Sequence, residues 1–298
     1  MEISLLSVIV PIYKQEKTIK EDLLSIYSAL SKTPYNFEII GVVDGTALDN
    51  SFSEAKKVRK DNVKIFGYKN NKGKGQAVRF GMQKASGDVI SFIDSGMDIA
   101  PAGIVMLLEH MKWYNADIII GSKLHPASIV KNYPAKRKFL TYCYYIMVKV
   151  LFGLKVRDTQ TGLKAYKRKV LEKVLDLLVV KTFAFDIELL AVANKLGFKK
   201  IYDAPVIVNW EPKNTSLGKV FRSGIIRDFM MDTLAVWYRM NILKYYYNGR
   251  SRVKVFDEDL GMNINTGAMY EKKRQYLIDF VNRLFHKINL APNYNARH

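Results

Sequence analysis

Cysteine is almost absent from this chain. The single Cys143 has no partner for an internal disulfide, so nothing asks for an oxidising compartment. Long apolar runs are missing too, and no stretch reaches the ~18 consecutive apolar residues of a membrane span. Glu2 precedes the first apolar run, residues 3–10, without a basic leader or a small-residue cleavage site. That run is expected to be a first strand rather than a signal peptide. No GxxxxGK(S/T) loop occurs and no GxGxxG follows the first run, which argues against hydride transfer. Acidic residues are scarce: 28 stand against 47 lysines and arginines, a net charge of +19. Such a charge attracts polyanions, whether nucleic acid, an anionic membrane surface or phosphorylated substrates. No recognisable nucleic-acid module accompanies it, so nucleic acid is not an expected partner. What is present in quantity is apolar: 49% hydrophobic and 12% aromatic residues exclude a disordered protein and allow a sizeable core. A cytoplasmic protein, peripheral on the inner face of the membrane, fits these limits.

The order of elements reads as an α/β fold. Residues 7–11 form a strand closed by Pro11, and Ile19, Leu23, Ile26 and Leu30 then follow at helical spacing. Residues 37–43 make a second strand, 49–60 a polar helix and 63–68 a third strand. A loop ending in Gly73-Lys74-Gly75 opens a helix over 76–85, and 89–93 is a buried strand. A helix over 101–114 and a strand over 117–121 continue the alternation, which predicts a parallel, doubly wound sheet with right-handed crossovers. Beyond Gly121, residues 134–154 read as a helix too apolar for water, either packed in the core or lying in a bilayer interface. Residues 163–178 and 185–196 look helical, and 204–208 is a strand. The 220–247 segment is amphipathic with basic and aromatic edges, which suits a membrane anchor or a packing helix. A further amphipathic helix is expected over 270–288, ahead of a polar tail.

The chemistry gathers at three strand ends, where the open edge of such a sheet binds ligands. They present Pro11-Ile12-Tyr13, then Asp44-Gly45, then Asp94-Ser95-Gly96-Met97-Asp98. Tyr13 suits stacking on a base, and Asp44 suits acceptance from the base's N–H. Asp94 and Asp98 suit a hard divalent cation on a diphosphate.

These motifs, in this order, resemble the inverting family 2 glycosyltransferases of GT-A fold, and more narrowly the dolichyl-phosphate or polyprenyl-phosphate sugar synthases. Residues 10–16, VPIYKQE, stand where the family has V-P-x-Y-N-E, and Val43-Asp44-Gly45-Thr46 stands for D-D-G-S. Residues 71–77 match N-x-G-K-G-x-A, and residues 94–98 stand for D-A-D-L-Q. Gly121-Ser122-Lys123, Arg137 and residues 158–162, DTQTG, match in order and spacing. The resemblance implies a mostly parallel, Rossmann-like sheet with flanking helices, interfacial helices and a helical tail. It divides the chain into a catalytic domain over 1–219 and membrane-associating or packing helices over 220–298.

The same resemblance implies sugar transfer from a GDP- or UDP-sugar to a polyprenyl or dolichyl phosphate, with inversion and Mg2+ or Mn2+. Pro11, Tyr13, Asp44, Lys74, Asp94 and Ser95 would bind the donor nucleotide, with Gln15 in place of the family's glutamate. Asp94 and Asp98 would hold the metal. Lys123, Arg137, Lys213 and Lys219 would meet the phosphates. Gly96 departs from the pattern, standing where a second aspartate would complete D-x-D. Asp98 stands where the family often has glutamine and restores a ligand. A phosphate acceptor is already an oxyanion near neutral pH because its second pKa is ~6, so no general base is required. Asp186 and Glu188 are then candidates for orientation or for a helix-terminal structural role, and His125 for capping a loop. Alternatives are a glycan, glycolipid or protein acceptor, and nucleotide-sugar binding without turnover.

Overall fold

The computed structural model describes residues 2–210, 223–247 and 252–265. Runs of β-branched residues separated by helical periods build the first half: β1 (Leu6–Ile12), α1 (Ile19–Leu30), β2 (Phe37–Asp44), α2 (Ser51–Lys56), β3 (Val63–Tyr68), α3 (Lys74–Lys84) and β4 (Val89–Ile93). Then come α4 (Ala102–Trp113), β5 (Ile118–Ser122), β6 (Ile129–Lys131), α5 (Ala135–Phe152) and β7 (Leu163–Lys167). After these lie α6 (Arg168–Val174), a 3-10 turn (Leu175–Leu177), α7 (Phe185–Lys195), β8 (Ile201–Pro205), β9 (Ile207–Asn209) and α8 (Ser223–Asn241).

Seven strands form one sheet in the order β3-β2-β1-β4-β7-β5-β8. Pairing is parallel except where β7 enters antiparallel between β4 and β5, with Ile93 opposite Leu163. The two faces follow the period of two. Leu6, Val8, Val10 and Ile12 of β1 join the core under α1 and α4, whereas Ile9 lies so close to Gly81 of α3 that a Cβ there would come within 2.4 Å of it.

The expected α/β alternation is present, with three corrections. Residues 163–167 form a central strand, not the start of a helix, and α6 follows only after it. Four of its five residues are buried, Lys164 among them, and a buried lysine disguises a two-sided core strand as an amphipathic helix. The polar helix expected over 49–60 is confined to α2. The strand expected over 204–208 is two strands: β8 closes the main sheet, and β9 pairs with β6 in a small second one.

The chain divides into two compact units, residues 1–246 and 247–298. Within the described part of the second, β10 (Lys254–Asp257) and β11 (Met262–Asn265) make an antiparallel hairpin. The helix expected over 270–288 lies outside the described residues. Among the described residues, no helix is long and apolar enough to cross a membrane.

Candidate active site

The carboxyl ends of β1, β2 and β4 lie side by side, because β1 pairs with both of the others. Ser95, buried just beyond β4, donates its hydroxyl to the Pro11 carbonyl at 2.8 Å and ties two of these ends together. Tyr13 follows β1 and is 41% exposed, with the Lys14 ammonium 5.6 Å from its ring centroid. Lys14 itself is held at φ 51, a left-handed conformation that is costly for a residue with a side chain. Gln15 donates its backbone N–H to Ser51, and its side-chain oxygen is buried without a hydrogen-bond partner among the described residues.

Asp44, expected at the donor base, is buried at the end of β2. Its two oxygens accept the backbone N–H groups of Lys72 and Gly73 at 2.7 and 2.9 Å. Each carboxylate oxygen keeps a second lone pair, so holding this loop leaves acceptor capacity for a ligand. The two glycines of the loop answer to a close approach of backbone. Gly73 has φ 98, and a Cβ on it would come 2.7 Å from the Lys181 carbonyl oxygen. On Gly75 a Cβ would meet Phe185 at 2.5 Å.

That packing sets Lys74, the first residue of α3, against Asp94. Its ammonium lies 2.9 Å from Oδ2 in hydrogen-bond geometry and 2.8 Å from Oδ1 as an ion-pair contact. Burial alone would lower the lysine's pKa, but Asp94 and then Asp186 outweigh it and hold it raised. Behind the carboxylate stands Gly162, where a Cβ would fall 2.0 Å from Oδ2. Asp98 lies beyond Met97, which has φ 52, and the Asp98 carbonyl accepts the N–H of Asn209 at 2.9 Å. Among the described residues, no three acidic, histidine or cysteine side chains converge as a ready cage for a metal. The half-exposed Asp94 carboxylate fits a divalent ion whose other ligands would include diphosphate oxygens and water.

The expected phosphate-binding cations are placed unevenly. Lys123, at the end of β5, is ion-paired with buried Asp158 at 2.7 Å and donates to Thr161 at 2.8 Å. Burial would raise the Asp158 pKa, but the Lys123 charge holds it below the usual carboxylate value. Arg137, in the first turn of α5, lies 4.8 Å from the Trp210 ring centroid. Trp210 directly follows Asn209, so this turn abuts the segment bonded to Asp98. Lys213 and Lys219 lie outside the described residues.

Sequence reasoning missed Lys164 and its pairing with Asp186. Fully buried on β7, Lys164 donates to the Thr161 carbonyl at 2.6 Å and to Asp186 at 2.7 Å, and burial lowers its pKa. Only the Gly162-Leu163 junction, where a turn enters the sheet, could have signalled it. Glu188, one turn into α7, accepts the N–H groups of Val179 and Val180 and the Tyr246 hydroxyl, the last at 2.6 Å. Asp186 and Glu188 thus take structural positions here. His125 accepts the Ala127 N–H at 3.2 Å and caps its loop. The peptide between α6 and α7 is shared: Leu178 accepts from Arg79 and Lys181 from Gln76, both on α3, while Thr182 donates to Asp232 on α8.

Comparison with known proteins bears on the family and the fold. The family model described as glycosyl transferase family 2 matches residues 7–175, the span carrying Asp44, Lys74, Asp94, Lys123 and Gly162. The dolichyl-phosphate beta-glucosyltransferase of Homo sapiens is 31% identical over 222 residues, covering 69% of this chain and 67% of that protein. The dolichol-phosphate mannosyltransferase of Pyrococcus furiosus is 33% identical over 172 residues, covering 56% and 47%. Among solved structures, glucosyl-3-phosphoglycerate synthase from Mycobacterium tuberculosis, in complex with Mn2+, UDP-glucose and phosphoglyceric acid, superposes with a TM-score of 0.60. The match covers 85% of this chain and 84% of that one at 17% identity, and it speaks for the fold. With its family model spanning the strand ends that build the site, this chain belongs to glycosyl transferase family 2.

Proposed function

We propose that this glycosyltransferase moves a hexose from a UDP- or GDP-sugar to a polyprenyl phosphate at the cytoplasmic face of a membrane, with inversion. The observation that carries this reading is the placing of α5. Its first turn, with Arg137 on Trp210, abuts the Asp98 segment, and the rest of the helix turns an apolar stripe outward. Phe139, Tyr142, Ile146 and Val150 are 66%, 53%, 44% and 77% exposed at helical spacing, and only Val148 of α5 is buried. Lys136, Lys138 and Lys149 lie on the same helix and are exposed. An acceptor with a phosphate head and an apolar chain asks for such a surface beside the donor site, with cations worth about 1 kcal/mol each near anionic lipid. The named relatives that act on dolichyl phosphate support the same acceptor.

In the reaction a phosphate oxygen of the acceptor attacks the anomeric carbon, the bond to the donor diphosphate breaks, and the nucleoside diphosphate leaves. The acceptor is already ionised, so the protein's work is positioning and charge stabilisation. Pro11, Tyr13, Gln15 and Asp44 would seat the base, with Lys74 and Ser95 lining the diphosphate side. Arg137, with Lys213 and Lys219, would meet the phosphates, while Lys123 keeps residues 158–162 against the site. A divalent ion held by Asp94 and Asp98, Mn2+ as in the solved neighbour or Mg2+, would supply Lewis-acid charge for the leaving diphosphate.

The test is transfer of labelled sugar from GDP-mannose, UDP-glucose and UDP-N-acetylglucosamine to a short polyprenyl phosphate, with Mn2+ or EDTA. Label in the lipid phase from one donor, lost in EDTA, is expected. Nucleotide binding without transfer from any donor would replace the synthase with a binding protein.

A further inference from the structure

Asp94 already has a cation. The Lys74 ammonium contacts both of its oxygens at 2.8 and 2.9 Å. This lysine is not a solvated side chain that drifts onto a carboxylate, for it is only 20% exposed and lies 5.5 Å from the Phe92 ring centroid. Its backbone is fixed by the close approach of Lys181 and Phe185 to the glycines on either side. A cation in the first turn of a helix also faces an unfavourable dipole, and α3 has no acidic residue in its first turn to offset it. Asp94 supplies that charge instead. The neighbouring ammonium, Lys164, is committed to Asp186, so it does not compete for Asp94. On the far side the carboxylate fills the space that a side chain at Gly162 would take. Gly96, meanwhile, puts no carboxylate between Asp94 and Asp98 to share the ammonium.

We infer that Lys74 is the resident counter-ion of Asp94 and competes with a divalent metal for it, so that metal enters together with the donor diphosphate rather than before it. When the metal takes Asp94, the diphosphate offers the displaced ammonium new anionic oxygens within the same site. Lys74 is thereby a positioning residue that sets the order of loading. The inference rests on the proposed metal-assisted reaction, but its test reads metal binding directly and leaves sugar transfer aside.

Mn2+ binding is to be followed by loss of the free-ion electron paramagnetic resonance signal, with and without UDP or GDP. In the absence of nucleotide, Lys74→Gln and Lys74→Met are each expected to bind Mn2+ about two- to fivefold tighter than the unaltered protein, the scale of one partly exposed ion pair. Lys74→Arg, which keeps the charge, is expected to behave like the unaltered protein, and Asp94→Asn to lose binding. Nucleotide should narrow the gap between Lys74→Gln and the unaltered protein. Two neutral variants guard against a folding defect in one. Mn2+ affinity in both no higher than in the unaltered protein would overturn the inference, as would absence of Mn2+ binding in every protein with nucleotide present. Either result leaves the transfer assay to judge the synthase reading separately.

Discussion

Asp203, on β8, has a carboxyl that burial pushes up to about 6 from 3.8, with the Arg157 N–H only partly reversing the effect. Below pH ~4 the group is protonated in folded and unfolded chains alike and costs nothing. As pH rises through 4 to 6 the unfolded chain releases the proton first, so this residue's share of stability is lost across that window. Asp203→Asn removes the penalty. Its gain over the unaltered protein in urea unfolding should grow by about 1–3 kcal/mol between pH 4 and 7. Asp158 runs the other way, since Lys123 keeps its folded value below 3.8 and its contribution is present above that pH and lost in stronger acid. Gly162→Ala tests the site directly. The added Cβ must displace the Asp94 carboxylate it would otherwise meet at 2.0 Å, and transfer should fall at least about tenfold in kcat/KM, the scale of a misplaced catalytic group.

On β7, a charge buried in the middle of the sheet is balanced by the Asp186 carboxylate. Asp186→Asn leaves the Lys164 ammonium with the Thr161 carbonyl and should cost about 3–5 kcal/mol in urea unfolding. Replacing both charges, as in Lys164→Met with Asp186→Leu, should recover most of that loss. This strand also marks where the sequence stops being legible. Leu163, Tyr166, Val170 and Val174 fall at helical spacing, and nothing local says that Lys164 is inside. By contrast β1, β2 and β4, with their terminal motifs, could be read directly, because each motif is contiguous with a strand of obvious β character. The partners of those motifs could not. Asp44 is bonded to a loop 28 residues away and Asp158 to a backbone N–H 35 residues away, and no periodicity carries that information. The apolar character of α5 was legible, but whether it faced core or solvent depended on packing. Its exposed stripe gives a further expectation. Ile146→Glu with Val150→Glu should weaken binding to liposomes at least about tenfold by sedimentation, from two lost apolar contacts. Both side chains are exposed, so the melting temperature should hold.

The net charge of +19 acts on the molecule as a whole. Binding to liposomes containing anionic lipid should fall by about tenfold or more between about 0.05 and 0.5 M salt, because screening shortens the reach of these charges. Neutral liposomes should show little of that dependence, and the residual binding should follow the α5 stripe. The peptide joining α6 to α7 has a different consequence for the whole. Its carbonyls hold Arg79 and Gln76 on α3, its Thr182 hydroxyl holds Asp232 on α8, and the Glu188 that grips its N–H groups also grips Tyr246. A chimera that imports α8 and the residues after it from a relative would sever the Thr182–Asp232 and Glu188–Tyr246 bonds unless the cut is made before Leu178. Moving the cut there imports the mould of the Gly73-Lys74-Gly75 loop as well, so α8 and the donor-side loop should travel between relatives as one block.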